Sequence, residues 1–159
     1  MKDYNDGKIR VRASVKSDVR PVAENIRLSD REEIWASNHI SPEEALSKGL
    51  ENSIYCRTIE NGYPIAMFGI CPHELLGHSA SIWLLGTDSL EKIKIKFLRH
   101  CRSYIDAMLE YYGYLENYVD VRNTKSIEWL KYLGAKFDPP APYGKEGLMF
   151  QHFSFTKEK

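Results

Sequence analysis

Two histidines and a glutamate lie close together in one short segment, His73-Glu74-Leu75-Leu76-Gly77-His78. A metalloprotease motif of the HExxH type needs its histidines four positions apart on one face of a helix. Here they are five positions apart, and Pro72 and Gly77 both interrupt helical structure. Cys71 could join the two histidines in a zinc site. A polar loop between two strands is the favoured interpretation, and we expect no bound metal.

Three basic residues, Lys92, Lys96 and Arg99, recur at i, i+4 and i+7 and would share one helix face. A cation in the first turn of a helix opposes the macrodipole by about 0.3–1 kcal/mol, and a bound phosphate would offset this cost. A solvated helix face explains the same pattern, because Glu91 already offsets the charge of Lys92. The sequence favours the solvated face.

The composition of the 159 residues is typical of one globular domain, which we expect to span residues 1–159. Lys plus Arg and Asp plus Glu each number 22, and this zero net charge argues against a nucleic-acid-binding protein. It also removes self-repulsion, so the chain could form a homo-oligomer. Cysteines without a CxxC pair, a polar start and no long apolar run predict a cytoplasmic protein that does not bind membranes.

The first third of the chain predicts one strand followed by short helices. Apolar and basic residues alternate over Ile9–Ala13, as in a strand with one buried face. A helix is expected from Ser17 to about Ile26. Capping boxes at Ser29-x-x-Glu32 and Ser41-x-x-Glu44 then predict two further helix starts.

The middle of the chain predicts an antiparallel meander. Asn61-Gly62 separates the apolar runs 53–59 and 64–71, and this dipeptide is a strong hairpin signal. A loop then leads to a third strand of the meander, Ala80–Leu85.

After Leu90 the apolar residues recur at helical spacing up to Leu109, which predicts a long amphipathic helix between Ser89 and Gly113. Because one strand precedes the long helix and another follows it, the helix must form a right-handed parallel crossover between them. The fold class predicted is a mixed α/β sheet with helices on both faces. The remaining elements are expected at 115–121 (strand), 124–133 (helix), 135–137 (strand) and 148–155 (strand).

The segment Asn123-Thr-Lys-Ser-Ile-Glu-Trp-Leu-Lys-Tyr-Leu-Gly134-Ala-Lys-Phe137, together with the element order over 80–121, resembles the GNAT superfamily of N-acetyltransferases. The resemblance implies a GNAT-like, mostly antiparallel sheet with a central β-α-β crossover. It also implies that acetyl-CoA binds where the fourth and fifth strands splay apart. The cofactor-binding positions that it implies are Trp83, Leu84, Leu85, Gly86, Thr87, Ser89 and Asn123.

The chain departs from the GNAT pattern at two places. Where the family carries a glycine-rich loop for the CoA pyrophosphate, this chain has the segment 86–91, with one glycine and the carboxylates Asp88 and Glu91. The family's general acid, a tyrosine seven residues after the asparagine, is replaced by Leu130, and Tyr132 points about 200° around the helix. These departures predict weak or absent acetyl-CoA binding.

Amine acetylation requires a base that deprotonates the attacking amine. Asp120 is the ionisable residue nearest the splay that the resemblance implies, so it is the candidate catalytic base. The alternative is a structural role, in which Asp120 pairs with Arg122 or caps the following helix. The alternative is favoured.

A narrower resemblance rests on Ile82-Trp-Leu-Leu-Gly-Thr-Asp88, Asn117-Tyr-Val-Asp120 and Trp129-Leu-x-x-Leu-Gly134. These strings are similar to a small family of short-tailed phage proteins related to the internal virion protein A group. That resemblance implies a protein of virion assembly in the cytoplasm of an infected bacterium.

The sequence therefore leaves two hypotheses. In the favoured one, the chain is a phage-encoded, catalytically degenerate GNAT-fold protein that acts in virion assembly or binds a viral or host protein. In the alternative, it is an N-acetyltransferase that moves acetyl from acetyl-CoA to an amine acceptor.

Overall fold

The computed structural model describes residues 3–158, which form eight strands and five α-helices. The strands are β1 (Arg10–Ala13), β2 (Tyr55–Glu60), β3 (Pro64–Pro72), β4 (Ser79–Gly86), β5 (Tyr114–Asp120), β6 (Lys136–Phe137), β7 (Ala141–Tyr143) and β8 (Leu148–Thr156). The helices are α1 (Val19–Glu24), α2 (Leu28–Asn38), α3 (Pro42–Asn52), α4 (Ser89–Tyr111) and α5 (Thr124–Tyr132).

One sheet contains all eight strands, in the order β1-β2-β3-β4-β5-β8-β6, with β7 paired to β8. Every pair is antiparallel except β4 with β5, which α4 connects. The predicted mixed sheet, its meander and its parallel crossover are confirmed.

Helices cover both faces of this sheet. Strand alternation sends the neighbouring side chains of Met67 and Phe68 to opposite faces. Met67 packs with residues of α1 and α3, whereas the ring of Phe68 contacts Phe97 and Tyr104 of α4. The predicted apolar stripe of α4 is buried, and Phe97 also contacts Trp129 of α5. The large core therefore lies between β3–β5 and the pair α4–α5.

Several local predictions differ from the structure. The segment predicted as one helix from Ser17 consists of a 3-10 turn at 16–18 and the short helix α1. The capping box at Ser29 is wrong, because α2 begins at Leu28, without a side-chain cap, and Ser29 lies inside its first turn. The cap at Ser41 is confirmed by a 3.2 Å hydrogen bond from the Glu44 N–H to Ser41 Oγ.

Strand β7 overlaps the segment 138–142, whose prolines predict a turn rather than a strand. It pairs with β8, and the turn at Gly144 packs on the end of α2. The N–H groups of Lys145 and Glu146 donate to the carbonyls of Ser37 and Ala36, at 3.1 Å each. Gly144 has φ of 75°, and a Cβ there would lie 2.6 Å from Ser37 Cα, so the close approach requires glycine.

Within residues 3–158, no helix combines the length and the apolar character that crossing a membrane would require.

Candidate functional site: the cleft between β4 and β5

Strands β4 and β5 pair over only three positions and then diverge. The parallel register runs from Ser79 opposite Tyr114 to Ser81 opposite Glu116. At the point of divergence, Asn117 Nδ2 donates a 2.7 Å hydrogen bond to the Ile82 carbonyl. A cavity of about 620 Å³ lies beyond it, lined by residues of both strands and of α2. The splay implied by the GNAT resemblance is therefore present.

Helix α2 supplies two carboxylates to the cleft, Asp30 and Glu33, which lie three residues apart and so share a helix face. Asp30 Oδ2 accepts a 3.0 Å hydrogen bond from the N–H of Gly86, at the end of β4. Glu33 Oε1 accepts a 2.7 Å hydrogen bond from the N–H of Asp120, at the end of β5. One helix thus caps the ends of both diverging strands.

Both backbone groups of Gly86 are occupied. While its N–H donates to Asp30, its carbonyl accepts a 2.9 Å hydrogen bond from the N–H of Arg27. The Arg27 guanidinium forms a buried ion pair with Asp30 at 2.8 Å and lies 3.7 Å from Glu91 on α4. Burial raises the pKa of Asp30, and Arg27 with the Gly86 N–H counteracts this increase.

The connection from β4 to α4 consists of only Thr87 and Asp88. The N–H and the hydroxyl of Thr87 both donate to the Ile65 carbonyl, at 2.9 Å, and the Leu90 N–H donates to the Thr87 carbonyl. A glycine-rich phosphate-binding loop holds its anion with several backbone N–H groups that point at the ligand. The N–H groups of Gly86, Thr87 and Leu90 already have acceptors within the protein.

Backbone alternation decides which predicted cofactor residues face the cleft. In a strand, the N–H and carbonyl of one residue point to the same side, and the side alternates along the chain. Because Ile82 and Gly86 turn these groups to the cleft, Leu84 does so as well. The backbone groups of Trp83 and Leu85 instead point to Gly69 and Met67 of β3, although both residues are among those that line the cavity. The indole of Trp83 donates to Ser53 Oγ at 2.8 Å.

Asp120 is 2% exposed and is engaged by Arg122. Its carboxylate accepts hydrogen bonds from the Arg122 N–H at 2.9 Å and from the guanidinium at 2.7 Å. Burial alone would raise the pKa of Asp120, but the hydrogen bonds and positive charge of Arg122 outweigh it and lower the pKa. The structure thus contains the ion pair of the alternative interpretation, and a low pKa makes a carboxylate a weak base.

Glu33 is a further carboxylate of the cleft, and it was not predicted from the sequence. Burial, aided by the charges of Asp30 and Asp120, raises its pKa to about 7, against the hydrogen bonds from the Asp120 N–H and from Asn123. A carboxylate with this pKa can accept a proton near neutral pH. The sequence signal for Glu33 is its position three residues after Asp30, which places both acids on the helix face that carries the buried Ile34.

The remaining predicted cofactor residues have partners within the protein. Asn123 Oδ1 caps α5 by accepting from the Ser126 N–H at 3.3 Å, and its Nδ2 donates to Glu33 Oε2 at 3.2 Å. The Ser89 hydroxyl lies 3.3 Å from the hydroxyl of Tyr63. Asn123 therefore reaches the cleft, whereas the hydroxyl of Ser89 contacts the β2–β3 turn.

Two other residues singled out from the sequence, His73 and Lys96, have partners within the protein. The ring nitrogens of His73 lie 3.0 Å from Ser79 Oγ and 2.8 Å from Ser81 Oγ. No group of three or more metal-ligating side chains occurs among residues 3–158. Lys96 pairs with Asp6 at 3.3 Å on the exposed face of α4.

Comparison with known proteins gives two kinds of relative. Residues 69–140 match the family model described as "Bacteriophage T7, probable scaffold protein Gp13". The curated "Probable scaffold protein gp13" of Escherichia phage T7 is 36% identical over 131 residues, which covers 79% of this chain and 90% of that protein.

Solved structures with the same fold are acetyltransferases of low sequence identity. The ribosomal-protein-S5-alanine acetyltransferase of Vibrio fischeri is 15% identical, with a TM-score of 0.68 over 100% of this chain and 98% of that one. The spermidine N-acetyltransferase of Vibrio cholerae, solved with CoA and spermine, is 13% identical, with a TM-score of 0.67 over 95% and 96%. A GNAT-family acetyltransferase of Bacillus anthracis is 11% identical, with a TM-score of 0.66 over 99% of this chain and 100% of that one. The GNAT-like fold is therefore confirmed.

Proposed function

The chain belongs to the family of the probable scaffold protein gp13 of Escherichia phage T7, and we propose that it is a phage-encoded assembly protein that uses a GNAT fold for binding rather than for catalysis. Its partner would be a viral protein or a host factor, met in the cytoplasm of the infected bacterium. The zero net charge supports contacts with protein, including a second copy of the chain, rather than with nucleic acid.

One observation carries the proposal of catalytic degeneracy: the Gly86 N–H, at the place where the GNAT fold binds pyrophosphate, donates to Asp30. A pyrophosphate there would have to displace this carboxylate and would meet Asp88 and Glu91 as well. Like charges at contact distance repel, and the ion pair of Arg27 with Asp30 leaves that cation already neutralised. The residues of this cleft do not fit the phosphates of CoA, so we propose weak or absent acetyl-CoA binding.

Calorimetric titration with acetyl-CoA tests this proposal. The expected result is a dissociation constant near or above about 1 mM, equivalent to a binding free energy of about −4 kcal/mol or weaker. The V. cholerae spermidine N-acetyltransferase, which was solved with CoA, serves as the positive control. Micromolar binding to this chain would contradict the proposal and favour an enzyme.

One observation supports N-acetyltransferase activity as a second candidate function. Glu33 lines the 620 Å³ cavity and has a pKa of about 7, which suits a base that takes a proton from an ammonium group. Asp120, proposed as the base from the resemblance, lies on the same side of the cleft but is paired with Arg122.

Turnover measurements with acetyl-CoA and a panel of amines distinguish the two functions. If the chain is an enzyme, the variant that removes its base, Glu33→Gln or Asp120→Asn, lowers turnover about 10²–10⁴-fold while the fold stays intact. If it is not, the wild type shows no turnover, and both variants affect only stability or partner binding. Glu32→Gln, on the exposed side of α2, is the matched control.

A further inference from the structure

The loop between β3 and β4 presents two leucines to solvent. Leu75 is 100% exposed and Leu76 is 95% exposed. They occupy the central positions of a turn that the Gly77 N–H closes by donating to the Glu74 carbonyl at 3.2 Å. Such positions are normally occupied by glycine, asparagine, aspartate, serine or proline. A pair of leucines therefore has no role in forming the turn.

The loop is held in place at its base. The His73 N–H donates to the Ser79 carbonyl at 3.2 Å, and the His73 ring lies within hydrogen-bond distance of the hydroxyls of Ser79 and Ser81. These contacts tie the start of the loop to β4. A loop that is held at its base loses less conformational entropy on binding than a free one.

Two further apolar side chains lie at the same end of the sheet. Ile54, 56% exposed, precedes β2, and its N–H donates to the carbonyl of Ile70 near the end of β3. Tyr111, 67% exposed, ends α4 just before β5, whose first residue pairs with Ser79. Strands β2–β5 are neighbours in the sheet, about 4.8 Å apart, so all four residues lie at the same end of the sheet. We call Ile54, Leu75, Leu76 and Tyr111 the leucine end.

The charged residues around the leucine end are mainly acidic. Glu51 and Glu74 are exposed there, and Glu110 and Glu158 lie beside Lys157, which pairs with Glu110 at 2.8 Å. A second copy of the chain that docked by a two-fold axis would bring identical acidic rims together. An anionic lipid surface would also be repelled. The charge favours a partner whose own rim is basic.

We propose that the leucine end is the docking surface for a viral assembly protein that carries an apolar pocket bordered by lysine or arginine. This inference rests on the proposed assembly function and names the surface that performs it. The turn that carries Leu75 and Leu76 lies inside the segment 69–140 that matches the scaffold family model. It lies at the opposite end of β4 from Gly86 and the mouth of the cleft.

Genetic complementation tests the inference with the intact chain. A phage that lacks the gene is grown on cells that supply wild-type protein, Leu75→Ser/Leu76→Ser, Glu51→Lys/Glu74→Lys or Ile95→Ser, and the titre of assembled virions is measured. Ile95, 72% exposed on α4, is the matched control for loss of an exposed aliphatic side chain. Melting temperatures by circular dichroism verify that each variant folds.

We expect the deletion to lower the titre and both the wild type and Ile95→Ser to restore it. The leucine variant should leave the titre about tenfold or more below wild type, as each lost leucine contact weakens binding by roughly that factor. The Glu51→Lys/Glu74→Lys variant should also restore the titre only in part, because it removes acidic residues that face the basic rim of the partner. Full restoration by the leucine variant would overturn the docking surface and leave the assembly function standing. A deletion without any defect would overturn both.

Two measurements on the purified protein test whether a second copy of the chain or a lipid surface binds the leucine end instead. Sedimentation velocity that shows a wild-type dimer, dissociated by Leu75→Ser/Leu76→Ser, would assign the surface to a second copy and overturn the proposed partner. Binding to phosphatidylglycerol vesicles that the same variant abolishes would assign it to lipid, with the same consequence. A wild-type monomer without vesicle binding is the expected result.

Discussion

Asp30 on α2 accepts a hydrogen bond from the backbone N–H of Gly86 at 3.0 Å, across 56 positions of the chain. The same carboxylate forms a buried ion pair with Arg27. Asp30 therefore links the start of α2 to the end of β4. Its removal would leave the Gly86 N–H without its acceptor and would leave the buried Arg27 with Glu91, 3.7 Å away, in place of its 2.8 Å partner.

Asp30→Ala should lower the free energy of unfolding by about 3–5 kcal/mol, the usual cost of removing one partner of a buried ion pair. Urea denaturation measures this loss. Asp106→Ala is the matched control, because it breaks the exposed Arg102–Asp106 pair and should cost no more than about 1 kcal/mol. Equal effects of the two substitutions would show that the Asp30 pair is not buried in solution.

Phe97→Ala should cost about 3–5 kcal/mol, because it leaves a cavity between α4 and the sheet, where the ring contacts Phe68 and Trp129. Ile95→Ala, two residues away on the exposed face, should change stability by about 0.5 kcal/mol or less. The midpoints of urea unfolding give both values. A near-neutral Phe97→Ala would mean that α4 presents another face to the core.

Glu33→Gln should change the pH dependence of stability. The pKa of Glu33 is about 7 in the folded protein against an ordinary value of 4.5, so the folded state binds the extra proton between these values. Wild-type stability relative to Glu33→Gln should therefore fall as pH rises from about 4.5 to about 7. Urea unfolding from pH 4.5 to 8 measures this difference. Glu32→Gln should show no such trend, and a flat difference for Glu33→Gln would contradict the raised pKa.

His152 should stabilise the protein mainly at lower pH. Burial lowers its pKa, but Glu116 Oε2 at 2.7 Å and Asp138 Oδ2 at 2.6 Å outweigh burial and raise it. A raised folded pKa means that the stabilisation is complete below about 6.5 and is lost as pH rises through the folded pKa. The difference in unfolding free energy between wild type and His152→Gln should therefore decrease as pH rises, which urea unfolding at several pH values measures. NMR titration of the ring gives the folded pKa directly, and a value below 6.5 would refute the prediction.

The order of the elements could be predicted because its signals are local. Asn61-Gly62 gives the β2–β3 hairpin, and the apolar period from Leu90 gives α4. Each pattern depends only on residues that are close together in the chain. The parallel pairing of β4 and β5 then followed from the handedness and length of the crossover.

The chemistry of the cleft could not be predicted in the same way. Asp30 and Glu33 meet Gly86 and Asp120 across 56 and 87 positions of the chain, and a backbone N–H carries no sequence signature. Strand β7 was missed because its prolines suggest a turn, yet Pro142 sits in an edge strand, where a missing N–H is tolerated.

The three-position contact between β4 and β5 has a consequence for the order in which the protein forms. The sheet consists of two halves, β1–β4 and β5–β8, and α2 joins their diverging ends. Helix α2 precedes both halves in the chain, except for β1, so it emerges from the ribosome before either acceptor strand exists. Its bonds to Gly86 and Asp120 close long loops, which raises contact order and slows folding. We therefore expect α2, although synthesised early, to dock late, after the two halves of the sheet have formed on either side of it.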